Sequence, residues 1–217
     1  MADDALRHAR SLLNKLACDT FALHTAAFRA LLDQADGDYD PLIDLVGHHA
    51  VSARGPFVKL FADFIKGLTD DVPAFRDAVA ARIGYELRIG LESADDNKDQ
   101  FLGMVDLVSH LGRNEAIAPD MLRSFIDSAF GQDSPVAVEA VYRVLLVMQA
   151  SHAKLFAPAF DQLARSCTSR FPNRLRFLIL DLLELRDRGW IPRRQPDLPT
   201  MMPIQQFRQC VLRQTNG

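Results

Sequence analysis

Residues 173–194 read NRLRFLILDLLELRDRGWIPRR. On a helical wheel, Leu175, Leu178, Ile179, Leu182, Leu183 and Leu185 share one face, the spacing of a helix packed on a core. Phe177 and Leu180 fall on the other side, beside Arg174, Asp181 and Glu184. A helix apolar on two faces is an inner wall or carries a further covering. Trp190, the single tryptophan, stands between Gly189 and Pro192. It is expected to plug the core at this end rather than anchor a partner, with Arg186 bracing it and Asp181 paired within the stack.

The same period recurs upstream, and strand-like alternation is nearly absent. Leu6, Leu12, Leu13 and Leu16 mark a first helix. Phe21, Phe28, Leu31 and Leu32 mark a second, with Asp19 or Thr20 as its cap. Asp40-Pro41, a cap followed by proline in the first turn, opens a third helix to about Ser52. Further helices are predicted at 57–68, 73–92, 101–111 and 119–130, then from Ser134-Pro135 to about Ser151, and at 156–169 and 173–188. Ten helices on short loops pair as five antiparallel hairpins of roughly 40 residues, the period of HEAT-type repeats. The expected fold is therefore an all-α solenoid over residues 1–195, each hairpin burying its apolar face against the next, in preference to a compact bundle.

Residues 196–217 form a tail. Pro192, Pro196, Pro199 and Pro203 forbid a continuous helix, but Ile204, Phe207 and Val211 fall at i, i+3 and i+7, so a short amphipathic helix is expected beyond them. Solenoid ends need caps. Met201, Ile204, Phe207 and Val211 are expected to cover the outer apolar face of the last pair, on the same chain or on a neighbouring copy in a homodimer.

At 217 residues and 24.3 kDa the chain suits one such stack plus a tail. Its net charge of −3 excludes a polycation that grips nucleic acid by bulk charge. The average hides a gradient. Residues 1–44 hold four basic residues against eight acids, whereas 165–194 hold eight arginines against three acids. Arginine suits planar, bidentate contacts, so the C-terminal end is expected to be basic.

Catalytic signatures are missing. The sequence has no G-x-G-x-x-G, no phosphate-binding G-x-x-x-x-G-K-[ST], no G-x-S-x-G and no H-E-x-x-H. Asp106, Ser109 and His110 share one predicted helix and read as a surface or helix-end group rather than a dyad. His48 and His49 are adjacent and diverge by about 100° on a helix, poor geometry for a shared metal. His24 reads as a satisfied structural histidine. Cys18, Cys167 and Cys210 form no metal or disulfide pattern, so a reducing compartment is the default. The acidic, polar start is unlike a secretory signal, and no apolar run suits a membrane span. The expectation is a cytoplasmic, non-enzymatic protein without a cofactor or metal.

The run Arg174-Leu-Arg-Phe-Leu, Asp181, Leu-Arg186 and Trp190-Ile-Pro-Arg-Arg194 resembles the closing helix of the middle domain of the translation initiation factor 4 gamma scaffold. Arg10-Ser-Leu-Leu-Asn-Lys-Leu16 with Phe21 resembles that domain's first helix. Ile43-Asp-Leu-Val46, Phe75-Arg76, Glu115-Ala-Ile117 and Glu139, Arg143, Leu145 fall between them in the same order. The chain departs from the family at Gln149-Ala150, where Gly-Lys is frequent, and at Val105, where a glycine is found. The resemblance implies a five-repeat HEAT scaffold that holds a DEAD-box RNA helicase, initiation factor 4A, and binds mRNA through basic surface. Five residues after Tyr39, Tyr85 and Tyr142 stand Asp44, Gly90 and Val147, so the Tyr-x-x-x-x-Leu-apolar motif for the cap-binding protein is missing. That protein is expected to dock only on regions outside this chain. Candidate partner contacts are Arg10, Asn14 and Lys15 on the polar side of the first helix and Arg174, Arg176, Arg193 and Arg194 at the basic end, where guanidinium groups suit helicase carboxylates or RNA phosphate.

Overall fold

Among the described residues ten helices follow one another: α1 (Asp3–Asn14), α2 (Phe21–Gln34), α3 (Asp40–Ser52), α4 (Pro56–Asp71), α5 (Pro73–Glu92), α6 (Lys98–Arg113), α7 (Pro119–Phe130), α8 (Pro135–Met148), α9 (Ala153–Ser166) and α10 (Asn173–Asp187). The computed structural model describes residues 3–53, 55–132, 134–166 and 171–192, and no strand occurs among them. Arg193, Arg194 and the predicted tail helix lie outside the described residues.

Connections run from the single residue Val72 to six residues, so successive helices fold back on one another. Odd helices stack on odd and even on even: α1 on α3, α3 on α5, α5 on α7, α7 on α9, and α2 through α10 likewise. No extensive contact joins helices more than three apart in the chain. Each hairpin thus touches only its neighbours, which is the all-α repeat stack expected from the period.

Aromatic rings fill the early joints. Phe28 and Phe64 meet edge to face at 5.2 Å, and Tyr39 meets Phe75 at 5.6 Å. The middle is tightest where α6 crosses its neighbours. A Cβ on Gly103 would lie 2.7 Å from the Val51 carbonyl oxygen of α3, so only glycine allows this approach. Asn114, just past α6, donates from Nδ2 to the Ala62 carbonyl of α4 at 3.0 Å.

Several helix ends differ from expectation. Thr20 sits at the start of α2 but does not cap it. Its hydroxyl serves the preceding loop instead, accepting from Ala17 N and donating to the Lys15 carbonyl. Asp40 is already helical, and Tyr39 occupies the cap position. Ser134 does cap α8, accepting from Val136 N at 3.1 Å and Ala137 N at 3.4 Å. α8 stops at Met148, because Gln149 and His152 take φ of 46° and 52° and turn the chain. α9 begins at Ala153, ahead of the expected 156, with Pro158 inside it.

At the C-terminal end, Gly189 (φ 67°) closes α10: its N–H donates to the Arg186 carbonyl and that of Trp190 to the Leu185 carbonyl, both at 2.9 Å. Trp190 packs half-buried against Phe160 at 5.8 Å, and the Arg186 guanidinium lies 5.3 Å over the same ring. Trp190 thus packs onto the core at this end, while the Arg186 guanidinium stacks on Phe160, the ring that Trp190 packs against. Asp181, by contrast, is exposed and has no ion pair among the described residues, so its expected pairing within the stack is not seen.

Candidate functional site

The described contact residues predicted from the sequence fall on or just past α1 and on α10. Arg10 and Asn14 are exposed on α1, and Lys15 is exposed just past its end. The Arg10 and Lys15 side chains have no ion pair among the described residues. Asn14 instead faces His49, with Oδ1 3.2 Å from Nε2. The other ring nitrogen of His49, Nδ1, donates to the Leu45 carbonyl at 2.9 Å, so α3 orients the imidazole toward α1.

Arg10 and Asn14 rim an open groove of about 1070 Å³ between α1, α3 and the start of α4. Leu6, Leu13, Leu45 and Phe61 form its floor, and Phe57, 56% exposed, stands at its edge. Asp44 and His48 face it from α3. A polar rim that includes one arginine, an apolar floor and an exposed phenyl ring are the composition of a protein-docking surface.

At the other end Arg174 is exposed and unpaired among the described residues. Arg176 is half-buried and donates to Asn173 Oδ1 at 3.3 Å. Arg186 pairs with Asp187 at 3.1 Å and approaches Asp161 at 3.7 Å, while Arg188 lies 3.6 Å from Glu184. Part of the arginine excess read from the sequence is therefore neutralised locally. Arg165 of α9, exposed and without an ion pair among the described residues, adds an uncommitted cation that the sequence reading did not single out.

A second groove of about 840 Å³ runs between α3, α5 and α6. Its walls carry a charge ladder. Arg82 of α5 bridges Asp44 of α3 at 2.8 Å and Glu86 at 2.9 Å. Arg143 of α8 pairs with Asp106 of α6 at 2.6 Å and with Glu139 at 3.3 Å, and Lys98 pairs with Glu139 at 2.8 Å. Burial raises the Asp106 carboxyl above the usual carboxylate range despite Arg143. Burial also acts to raise Glu139, but its hydrogen bond and charge contact with Lys98, with Arg143 behind, outweigh that and lower it. The ladder spacings Arg82/Glu86 and Glu139/Arg143, each four apart on a helix, were the only signals in the sequence.

The Asp106, Ser109 and His110 group is divided among separate partners. Asp106 is held by Arg143, and the buried Ser109 hydroxyl donates to the Val105 carbonyl at 2.6 Å. Burial, then the nearby Arg113, lowers the His110 pKa. His48 and His49 meet ring edge to face at 5.9 Å. His24 is buried, but its Nδ1 lacks a hydrogen-bond partner among the described residues, contrary to the expected satisfied histidine. No group of three or more His, Cys, Asp or Glu among the described residues could hold a metal ion, and no helix there is long and apolar enough to cross a membrane.

No protein-family model matches this chain, and no curated protein matches its sequence.

Proposed function

We propose that the chain is a translation initiation scaffold of the factor 4 gamma middle-domain type. In this reading it holds a DEAD-box RNA helicase, initiation factor 4A, and binds mRNA beside it. The observation that carries the reading is the exposed Arg10 on the rim of the α1–α3 groove, with the exposed Lys15 just past the end of α1, neither in an ion pair among the described residues and both within the run that resembles the family's first helix. Guanidinium and ammonium groups there suit carboxylates on a partner protein. A stack that contacts both helicase lobes acts by differential binding. It favours the closed arrangement over the open one and performs no chemistry itself.

RNA contact is assigned to the opposite end. Arg165 and Arg174 are exposed there without acidic partners among the described residues, and phosphate is a natural ligand for such groups. Cytoplasmic residence belongs to the same reading.

The test is a pull-down of purified helicase with the full chain, together with the helicase ATPase rate measured with and without it. Binding and a raised ATPase rate are expected. Neither binding nor stimulation at micromolar concentration rejects the scaffold reading.

A further inference from the structure

The last helix presents an apolar face that nothing among the described residues covers. Phe177 is 65% exposed and Leu180 is 50% exposed, while Leu175, Ile179 and Leu182 on the opposite side are buried. Ile191, just past the helix, is 66% exposed. Large apolar side chains grouped in this way on the terminal unit of a stack mark an interaction surface. Asp181, exposed and without an ion pair among the described residues, lies beside them.

We propose that residues 203–213 of the same chain form a short helix that lies on this face and caps the stack. Pro203 supplies a helix start, and Ile204, Phe207 and Val211 supply one apolar stripe. Arg208 flanks that stripe and is opposite in charge to Asp181. Reach is ample. The 11 residues 193–203 span up to about 36 Å when extended. From the end of α10 back to Phe177 is only about 15 Å at 1.5 Å per residue. So short a tether gives the tail an effective concentration that a second molecule in dilute solution does not match, which favours the same chain as its source. The proposal is independent of the helicase reading.

Hydrogen exchange on the full chain tests it, with the molecular mass followed by sedimentation. Amides of residues 204–213 are expected to exchange on the order of tenfold or more slower than in a free peptide of the same sequence. That protection belongs to a monomer and is unchanged on dilution. The double variant Phe177→Asp/Leu180→Asp changes only exposed positions, so the stack still folds, and the protection of 204–213 is lost. Free-peptide exchange rates in the wild type overturn the proposal, as does protection that survives in the double variant. Protection that fades on dilution, with the mass of a dimer, assigns the face to a second copy instead and also overturns it.

Discussion

Arg143 of α8 donates to the Asp106 carboxylate of α6 at 2.6 Å, and this bond joins the fourth hairpin of the stack to the third. The same guanidinium reaches Glu139, which is buried and also held by Lys98. Replacing Arg143 by Leu leaves two carboxylates without their shared cation. Loss of about 1–3 kcal/mol in urea unfolding is expected, because an uncompensated charge remains partly buried. Lys98→Met costs less, since Glu139 keeps Arg143. The double variant Arg143→Leu/Asp106→Leu recovers part of the loss, which a double-mutant cycle reads as non-additivity.

The environment of His110 makes stability depend on pH. Burial, then Arg113, disfavours its cation in the folded chain, with Asp63 opposing and Lys59 adding to the effect, so its pKa lies below 6.5. Between that lowered value and 6.5 the unfolded chain binds more protons than the folded one. Stability from this group is therefore complete above 6.5 and declines as pH falls below it. The urea midpoint of the wild type should drop more between about pH 7.5 and about pH 5.5 than that of His110→Gln. Equal drops assign the pH dependence to other groups.

Two glycines separate helix propensity from packing. Gly84 lies inside α5 with nothing within 4 Å of an added Cβ, so Gly84→Ala is expected to stabilise by about 0.5–1 kcal/mol. Gly103→Ala gains the same propensity but drives its methyl against the Val51 carbonyl of α3, a backbone atom that cannot rotate aside. A net loss of about 1–3 kcal/mol is expected. A gain in the thermal midpoint of Gly103→Ala would show that α3 and α6 separate easily.

Gln149 takes φ 46° and ψ −124°, a region that glycine tolerates and a branched Cα does not. Gln149→Gly is expected to raise stability by about 1–2 kcal/mol through relief of that strain, read as a higher urea midpoint with an unchanged slope. A lowered midpoint means that the turn depends on the glutamine side chain.

Charge reversal tests the two ends of the stack separately. Arg10→Glu with Lys15→Glu is expected to weaken helicase binding at least roughly tenfold, with RNA affinity nearly unchanged. Arg165→Glu with Arg174→Glu is expected to weaken RNA binding and flatten its salt dependence, with helicase binding kept. All four residues are exposed, so the thermal midpoint should stay near that of the wild type. If the first pair of substitutions lowers RNA affinity alone, the assignment of the ends is reversed.

The helices were readable because each buries one stripe at a fixed period, and that stripe survives in every segment from Leu13 to Leu182. Their ends were less so. The sequence cannot show that the Thr20 hydroxyl turns back to serve Lys15 and Ala17, or that Gln149 accepts a left-handed φ. The candidate site was half legible. Exposed polar positions on α1 follow from its wheel, but the groove beneath Arg10 exists only because α3 and α4 bring Leu45 and Phe61 under it. The charge ladder was least visible, since Asp44 and Arg82 are 38 positions apart and meet only through stacking. The C-terminal arginines were overcounted, because pairing with Asp187 and Glu184 depends on rotamers that the sequence does not state.

A chain whose helices lean only on near neighbours behaves mechanically as a row of coupled springs. Small rotations at each of the joints between five hairpins add along the row, so the distance between α1 and α10 can change while every local core stays packed. Pulled from its two ends, such a row is expected to lengthen stepwise, one hairpin at a time.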